Sequence, residues 1–172
     1  FLIVYIMQNI SDASLHAKII QVAETLNKSH FMLTTAESCT GGWVAKCCTD
    51  LAGSSSWFER GFVTYSNQAK QDQLGVQLAS LQQDGAVSQT VAEEMALGAL
   101  NNSCADISVA LTGIAGPDGG TETKPVGTVW IGWARKSDKV VSQLFQFEGD
   151  RESIRRQAVL NALSGIIKNA RD

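Results

Sequence analysis

Histidine is almost missing from this chain: His16 and His30 are the only two among 172 residues. Neither has a second histidine or a carboxylate at metal-ligand spacing. The four cysteines (Cys39, Cys47, Cys48 and Cys104) contain no CxxC pair, so no zinc pattern can be assembled. A Ser-His-Asp triad is excluded for the same reason, because no candidate serine has a histidine to serve it. Basic clusters are also absent. Lys and Arg are scattered through a chain of net charge −3, which provides neither the electrostatic footprint of a nucleic-acid binder nor a polybasic tract for an anionic membrane. The apolar residues 1–6 are too few to span a bilayer, and they lack the basic n-region and the length of a signal peptide. They read as an edge strand or as a foreign remnant ahead of Met7. The thiols are expected to be reduced, in a cytoplasmic protein.

What is present is an ordinary globular composition, 44% hydrophobic and 18% charged, expected to form one domain over residues 7–172. Leu15, Ile19, Val22, Ala23 and Leu26 recur at helical spacing behind the cap candidates Ser11 and Asp12. Residues 31–35 read as a buried strand, 43–48 as a helix and 57–65 as a second strand. Residues 67–74, with Ser66 as cap and Gly75 as stop, read as a short helix. A longer helix begins at Ser88 or Thr90, with Thr90 and Glu93 as a capping box, and runs to about Asn101; its small residues, Gly98 among them, predict close packing. Residues 105–112, 128–134 and 140–147 read as strands, and Asp150 caps a final helix with Ile154, Ala158, Leu163 and Ile166 inward. Strands alternating with helices imply an α/β fold with helices on both faces of the sheet. The few polar residues at 135–139 suit an antiparallel hairpin rather than a crossover, so the expected architecture is a three-layer α/β/α sandwich with a mixed, mostly parallel sheet.

The stretch Ala36-Glu37-Ser38-Cys39-Thr40-Gly41-Gly42 lies between the first of these strands and a helix. A hydroxyl at such a turn lies beside unpaired N–H groups of the helix start, expected to be those of Thr40, Gly41 and Gly42, a setting that suits an oxyanion. The plainer alternative is that Ser38 or Thr40 is an N-cap and the glycines a tight turn. The long loop from Gly113 to Gly127 is glycine-rich and suits a phosphate or carboxylate, although its spacing fits neither GxGxxG nor GxxxxGK[ST].

Without histidine, lysine or tyrosine is left as the base. Tyr65 and Lys70 come from the next strand–helix junction after that of Ser38, so both can meet its hydroxyl at one end of a sheet, in the manner of serine–lysine nucleophiles. A lysine used this way must be lowered from about 10.4 toward about 7 to 8. The plainer alternatives are a solvated Lys70 and a Tyr65 that serves the core. Cys39 as a thiol nucleophile lacks the histidine of the usual ion pair.

Five blocks carry a family resemblance. They are Thr35-Ala36-Glu37-Ser38-Cys39-Thr40-Gly41-Gly42; Val63-Thr64-Tyr65-Ser66-Asn67 with Lys70; Gly85-Ala86-Val87-Ser88; Thr112-Gly113-Ile114-Ala115-Gly116-Pro117 with Lys124-Pro125-Val126-Gly127-Thr128-Val129; and Gly149-Asp150-Arg151. In this order, over nearly the whole chain, they resemble the signature blocks of the CinA C-terminal domain family. The resemblance implies an α/β/α sandwich that hydrolyses the carboxamide of nicotinamide mononucleotide to nicotinic acid mononucleotide and ammonia, in pyridine nucleotide recycling. It implies a site without metal or cofactor, and usually a homo-oligomer, with a dimer as the first expectation. Carried over by position, Ser38 is the nucleophile and Tyr65 and Lys70 the activating pair, in an order left open. Thr40, Gly41, Gly42, Asn67, Thr112 and Gly113 are expected at the substrate, with Arg151 on its phosphate. The long members' additional N-terminal domain has no counterpart here, so its activity is not transferred. The alternative is a nucleotide-binding regulatory module without turnover.

Overall fold

The computed structural model describes residues 3–4, 10–137 and 140–171. Its elements are β1 (Ile3–Val4), α1 (Asp12–Ser29), β2 (Leu33–Glu37), α2 (Trp43–Asp50), β3 (Phe58–Val63), α3 (Asn67–Leu74), α4 (Leu78–Gln83), α5 (Gln89–Asn101), β4 (Ile107–Gly113), β5 (Thr128–Arg135), β6 (Val141–Gln146) and α6 (Arg151–Arg171). One sheet runs in the order β1-β6-β5-β4-β2-β3. Pairing is antiparallel only where β5 meets β4 and β6, so β5 alone is reversed and the sheet is mixed and mostly parallel, as expected. The β5–β6 pair is the anticipated hairpin, although residues 138 and 139 of its turn lie outside the described residues. Of residues 1–6, only the backbone of Ile3–Val4 is described; it pairs with Phe145 and Gln146 at the sheet edge.

Side-chain alternation along the strands divides the core into two. On one face Leu33, Ile107, Val109, Leu111, Val129, Ile131 and Trp133 meet α1, α2 and α6. On the other, Ala36, Ala110 and Ala134 meet α5 and the segment around Leu74, Val76 and Leu81. Small residues on the second face bring its helices close to the sheet. The packing is closest at Gly98 of α5, where a Cβ would lie 1.9 Å from the Leu74 carbonyl at the end of α3.

Three local readings change. The first strand ends two residues later than its apolar run, because Ala36 and Glu37 still pair with Phe62 and Val63 on one side and Ala110 and Leu111 on the other. The α5 cap is Ser88, whose Oγ accepts the Val91 N–H at 3.3 Å, and Glu93 accepts from Ser142 Oγ at 2.6 Å instead of closing a box with Thr90. Helix α4 was not anticipated, since Leu81 is its only buried side chain and one residue makes no periodic stripe.

The reversal of β5 bears on the site. The loop after β4 returns into β5 at the end of the sheet from which it left, which is the carboxyl end of β2, β3 and β4. The turns after β2 and β3, the Gly113–Gly127 loop and the start of α6 after β6 therefore converge there, where open α/β sheets bind ligands.

Candidate active site

At the end of β2, alternation sends successive side chains to opposite faces. Glu37 turns toward α2 and Ser38 toward α3. The buried Glu37 carboxylate accepts from the Val44 N–H (2.8 Å), the Ala45 N–H (3.0 Å) and the Thr40 hydroxyl (2.8 Å). Burial raises its pKa, opposed by these donors and by the Gly42 N–H. This corrects the expected set of open N–H groups. The start of α2 is capped from inside by Glu37, and the Gly41 N–H donates to the Ser38 carbonyl at 3.1 Å. The Thr40 N–H has no acceptor among the described residues, and the Cys39 N–H faces only its own thiol.

Helix α3 carries the second component. Its sequence is polar, and its only buried side chains are Lys70 and Leu74, one turn apart. Ser66 Oγ caps it by accepting the Ala69 N–H at 3.0 Å, and Gly75 ends it with a left-handed φ of 69°. Lys70, only 1% exposed, places Nζ 3.0 Å from Ser38 Oγ, 2.9 Å from the Thr64 carbonyl and 3.2 Å from that of Tyr65. No carboxylate pairs with it among the described residues. Burial lowers its pKa, with a weaker opposing effect from Cys39.

Tyr65 is placed differently from the expected activating pair. Its side chain is 64% exposed, and its hydroxyl lies 3.5 Å from Arg151 Nη2, while its backbone carbonyl, not its ring, holds Lys70. Arg151 also donates from Nη1 to the Gly116 carbonyl at 2.6 Å, which ties the start of α6 to the glycine-rich loop. Among the other expected substrate contacts, the Thr40 hydroxyl is spent on Glu37, and the buried Thr112 hydroxyl donates to the Ala86 carbonyl at 2.7 Å. Asn67 is exposed at the first turn of α3. Gly42 is the αL residue that opens α2, and Gly113 abuts β5 so closely that a Cβ would lie 2.7 Å from the Val129 side chain.

Burial pushes the Cys39 thiol up to about 11, with the Glu37 charge adding to the effect, so it is a poor nucleophile despite its position beside Ser38. All four cysteines are free. Among the described residues, no group of three or more His, Cys, Asp or Glu could hold a metal ion, and no helix is long and apolar enough to cross a membrane.

A buried lysine is thus directed at a serine on a strand–helix turn of an α/β sandwich. The chain belongs to the CinA C-terminal domain family, whose pattern matches residues 15–170. It is 52% identical over 163 residues to the nicotinamide-nucleotide amidohydrolase PncC of Enterobacter agglomerans, covering 92% of this chain and 99% of that one. It is 56% identical over 143 residues to the protein of the same name from Escherichia coli K12, covering 83% and 87%. Among solved structures, the competence/damage inducible protein CihA of Agrobacterium tumefaciens superposes with a TM-score of 0.89 at 40% identity, over 94% of this chain and 98% of that one.

Two residues of the site escaped the sequence reading. Glu37 lies within the motif without a role assigned to it, and Arg155 of α6 carries no sequence signal of its own. A carboxylate at the end of a buried strand is a usable signal for the first. The second had none, because its partners are backbone carbonyls 115 and 116 residues away.

Proposed function

We propose that this protein hydrolyses the carboxamide of nicotinamide mononucleotide through a serine acyl-enzyme, with Ser38 as nucleophile and Lys70 as base. The observation that carries the reading is the seat of the Lys70 amine. Two of its contacts are carbonyls, which require N–H donors. In the neutral amine both N–H groups can remain on Thr64 and Tyr65 while the lone pair faces Ser38 Oγ at 3.0 Å. Burial without a carboxylate partner favours that neutral form. The relatives named nicotinamide-nucleotide amidohydrolase support the choice of amide.

In the first step Ser38 Oγ bonds to the carboxamide carbon and its proton passes to Lys70. The carbonyl π pair moves onto oxygen, giving an oxyanion that the Thr40 N–H would receive. One such donor contributes about 3 to 4 kcal/mol in known hydrolases. Lys70 then returns the proton to the leaving nitrogen, the C–N bond breaks, and ammonia departs from an ester on Ser38. Lys70 next takes a proton from water, whose oxygen adds to the ester carbon, and the C–Oγ bond breaks to release nicotinic acid mononucleotide. Tyr65 and Arg151 stand at the mouth, with Arg151 and the loop at Gly116 offered to the substrate phosphate. The free thiols suit a cytoplasmic enzyme of pyridine nucleotide recycling, and the family resemblance implies a homo-oligomer, which light scattering would test.

The test is to incubate the purified protein with nicotinamide mononucleotide and assay ammonia and nicotinic acid mononucleotide in equal amounts. Binding without either product would leave a regulatory module instead.

A further inference from the structure

The side of the Ser38 turn that faces away from Lys70 borders a cavity of about 640 Å³ between α1, α2 and α6. Arg155 reaches through its wall, with Nε donating to the Cys39 carbonyl and Nη2 to the Thr40 carbonyl, both at 3.0 Å. Its guanidinium lies 5.2 Å from the centre of the Trp43 ring, against which Arg156 also rests. Arg156 is occupied by Asp12 and Glu152, whereas no carboxylate pairs with Arg155 among the described residues. Its hydrogen bonds are directed at the backbone of the turn.

The Cys39 carbonyl and the Thr40 N–H belong to one peptide plane and, in a trans peptide, point in opposite directions. Arg155 holds the carbonyl on the α6 side of the turn. The N–H of the same plane is thereby aimed away from α6, toward the face on which Lys70 meets Ser38. We infer that Arg155 is the positioning residue of the oxyanion site: by gripping the Cys39 and Thr40 carbonyls from behind, it orients and polarises the Thr40 N–H for the charge that develops on the substrate oxygen. This rests on the reading of Ser38 as nucleophile. Arg155 does not touch substrate. Gly41 beside these carbonyls has a φ of +61°, a left-handed conformation that glycine adopts without strain.

Arg155→Met and Arg155→Lys are assayed beside Ser38→Ala. Lysine keeps a charge near Trp43 but offers no planar pair of donors to the two carbonyls. Both Arg155 variants are expected to lose about tenfold to a hundredfold in kcat, short of or at the lower edge of the loss from deleting an oxyanion donor, with KM changed less than about twofold. Because the guanidinium borders the cavity, millimolar methylguanidinium is expected to restore part of the kcat of Arg155→Met, which a packing defect would not allow. Affinity for the aldehyde analogue of the substrate, which forms a hemiacetal with the serine, should fall by the same factor as kcat. Wild-type kcat in either variant overturns the inference, as does a loss in which KM and melting temperature fail together without rescue. If Arg155→Met does not fold, Arg155→Lys decides by the same readings. A dead Ser38→Ala beside a fully active Arg155→Met overturns this inference alone, whereas an active Ser38→Ala overturns the nucleophile reading and this one with it.

Discussion

Lys70 approaches Ser38 to 3.0 Å from 32 residues further along the chain, and its two other polar contacts are carbonyls. The pair is assembled by neighbouring parallel strands, β2 and β3, which deliver their following turns to the same end of the sheet. An amine in that seat is expected to rest without its extra proton and to act by accepting one.

Lys70→Arg tests this directly. Arginine keeps the charge but cannot give up a proton at neutral pH, so it should be nearly as inactive as Lys70→Ala if Lys70 is the base. Recovery of substantial turnover in Lys70→Arg, with substrate binding intact, would remove Lys70 as the obligatory base. In the wild type, kcat/KM should rise with pH through an ionisation below the ordinary lysine value of about 10.4. Stability should follow the same group. Between the lowered folded pKa and about 10.4 the unfolded chain binds more protons, so stability rises with pH across that window. Urea titrations at several pH values should show a smaller slope in Lys70→Met.

Ser38→Ala is expected to abolish ammonia release while calorimetry still detects substrate binding. Cys39→Ala should keep most activity, because its thiol is buried and pushed up to about 11. The reverse pattern would exchange the nucleophiles.

Arg151 bridges the glycine-rich loop and the Tyr65 hydroxyl. Arg151→Gln should raise KM for nicotinamide mononucleotide at least about tenfold, the scale of one charge-assisted hydrogen bond. It should barely change kcat/KM for the riboside, which has no phosphate. Equal losses on both substrates would remove the phosphate role.

Glu37→Gln places an amide N–H against the Ala45 or Val44 N–H, leaving buried donors face to face. A loss of about 1 to 3 kcal/mol is expected, seen as a drop of several degrees in melting temperature. An unchanged melting temperature would show that the carboxylate does not hold the start of α2.

Sequence periodicity revealed the architecture because most helices carry both a stripe and a stop. Helix α3 runs from Asn67 to Leu74 between Ser66 and Gly75, as its punctuation predicts, and the hairpin at β5–β6 follows from a linker too short for a crossover. Helix α4 lacked a stripe and was missed. At the site, the meeting of Ser38 and Lys70 was legible from their two adjacent junctions. The outward turn of Tyr65 was not, because strand β3 has ended at Val63 and alternation no longer governs the next side chains. Glu37 was readable in principle, as a carboxylate closing a buried strand, whereas Arg155 was hidden because it acts on backbone carbonyls and sequence does not record which of these a fold leaves open.

The contact of Gly98 with the Leu74 carbonyl leaves no slack between α5 and the helix that carries Lys70. The dryness of the lysine seat therefore depends on a backbone-to-backbone fit and not on a side chain that can readjust. Modest swelling there, by dilute denaturant or by Gly98→Ala, would admit water to the amine and restore its proton. Inactivation at neutral pH should then precede loss of helical signal, and alkaline buffer should reverse it while the chain is still folded.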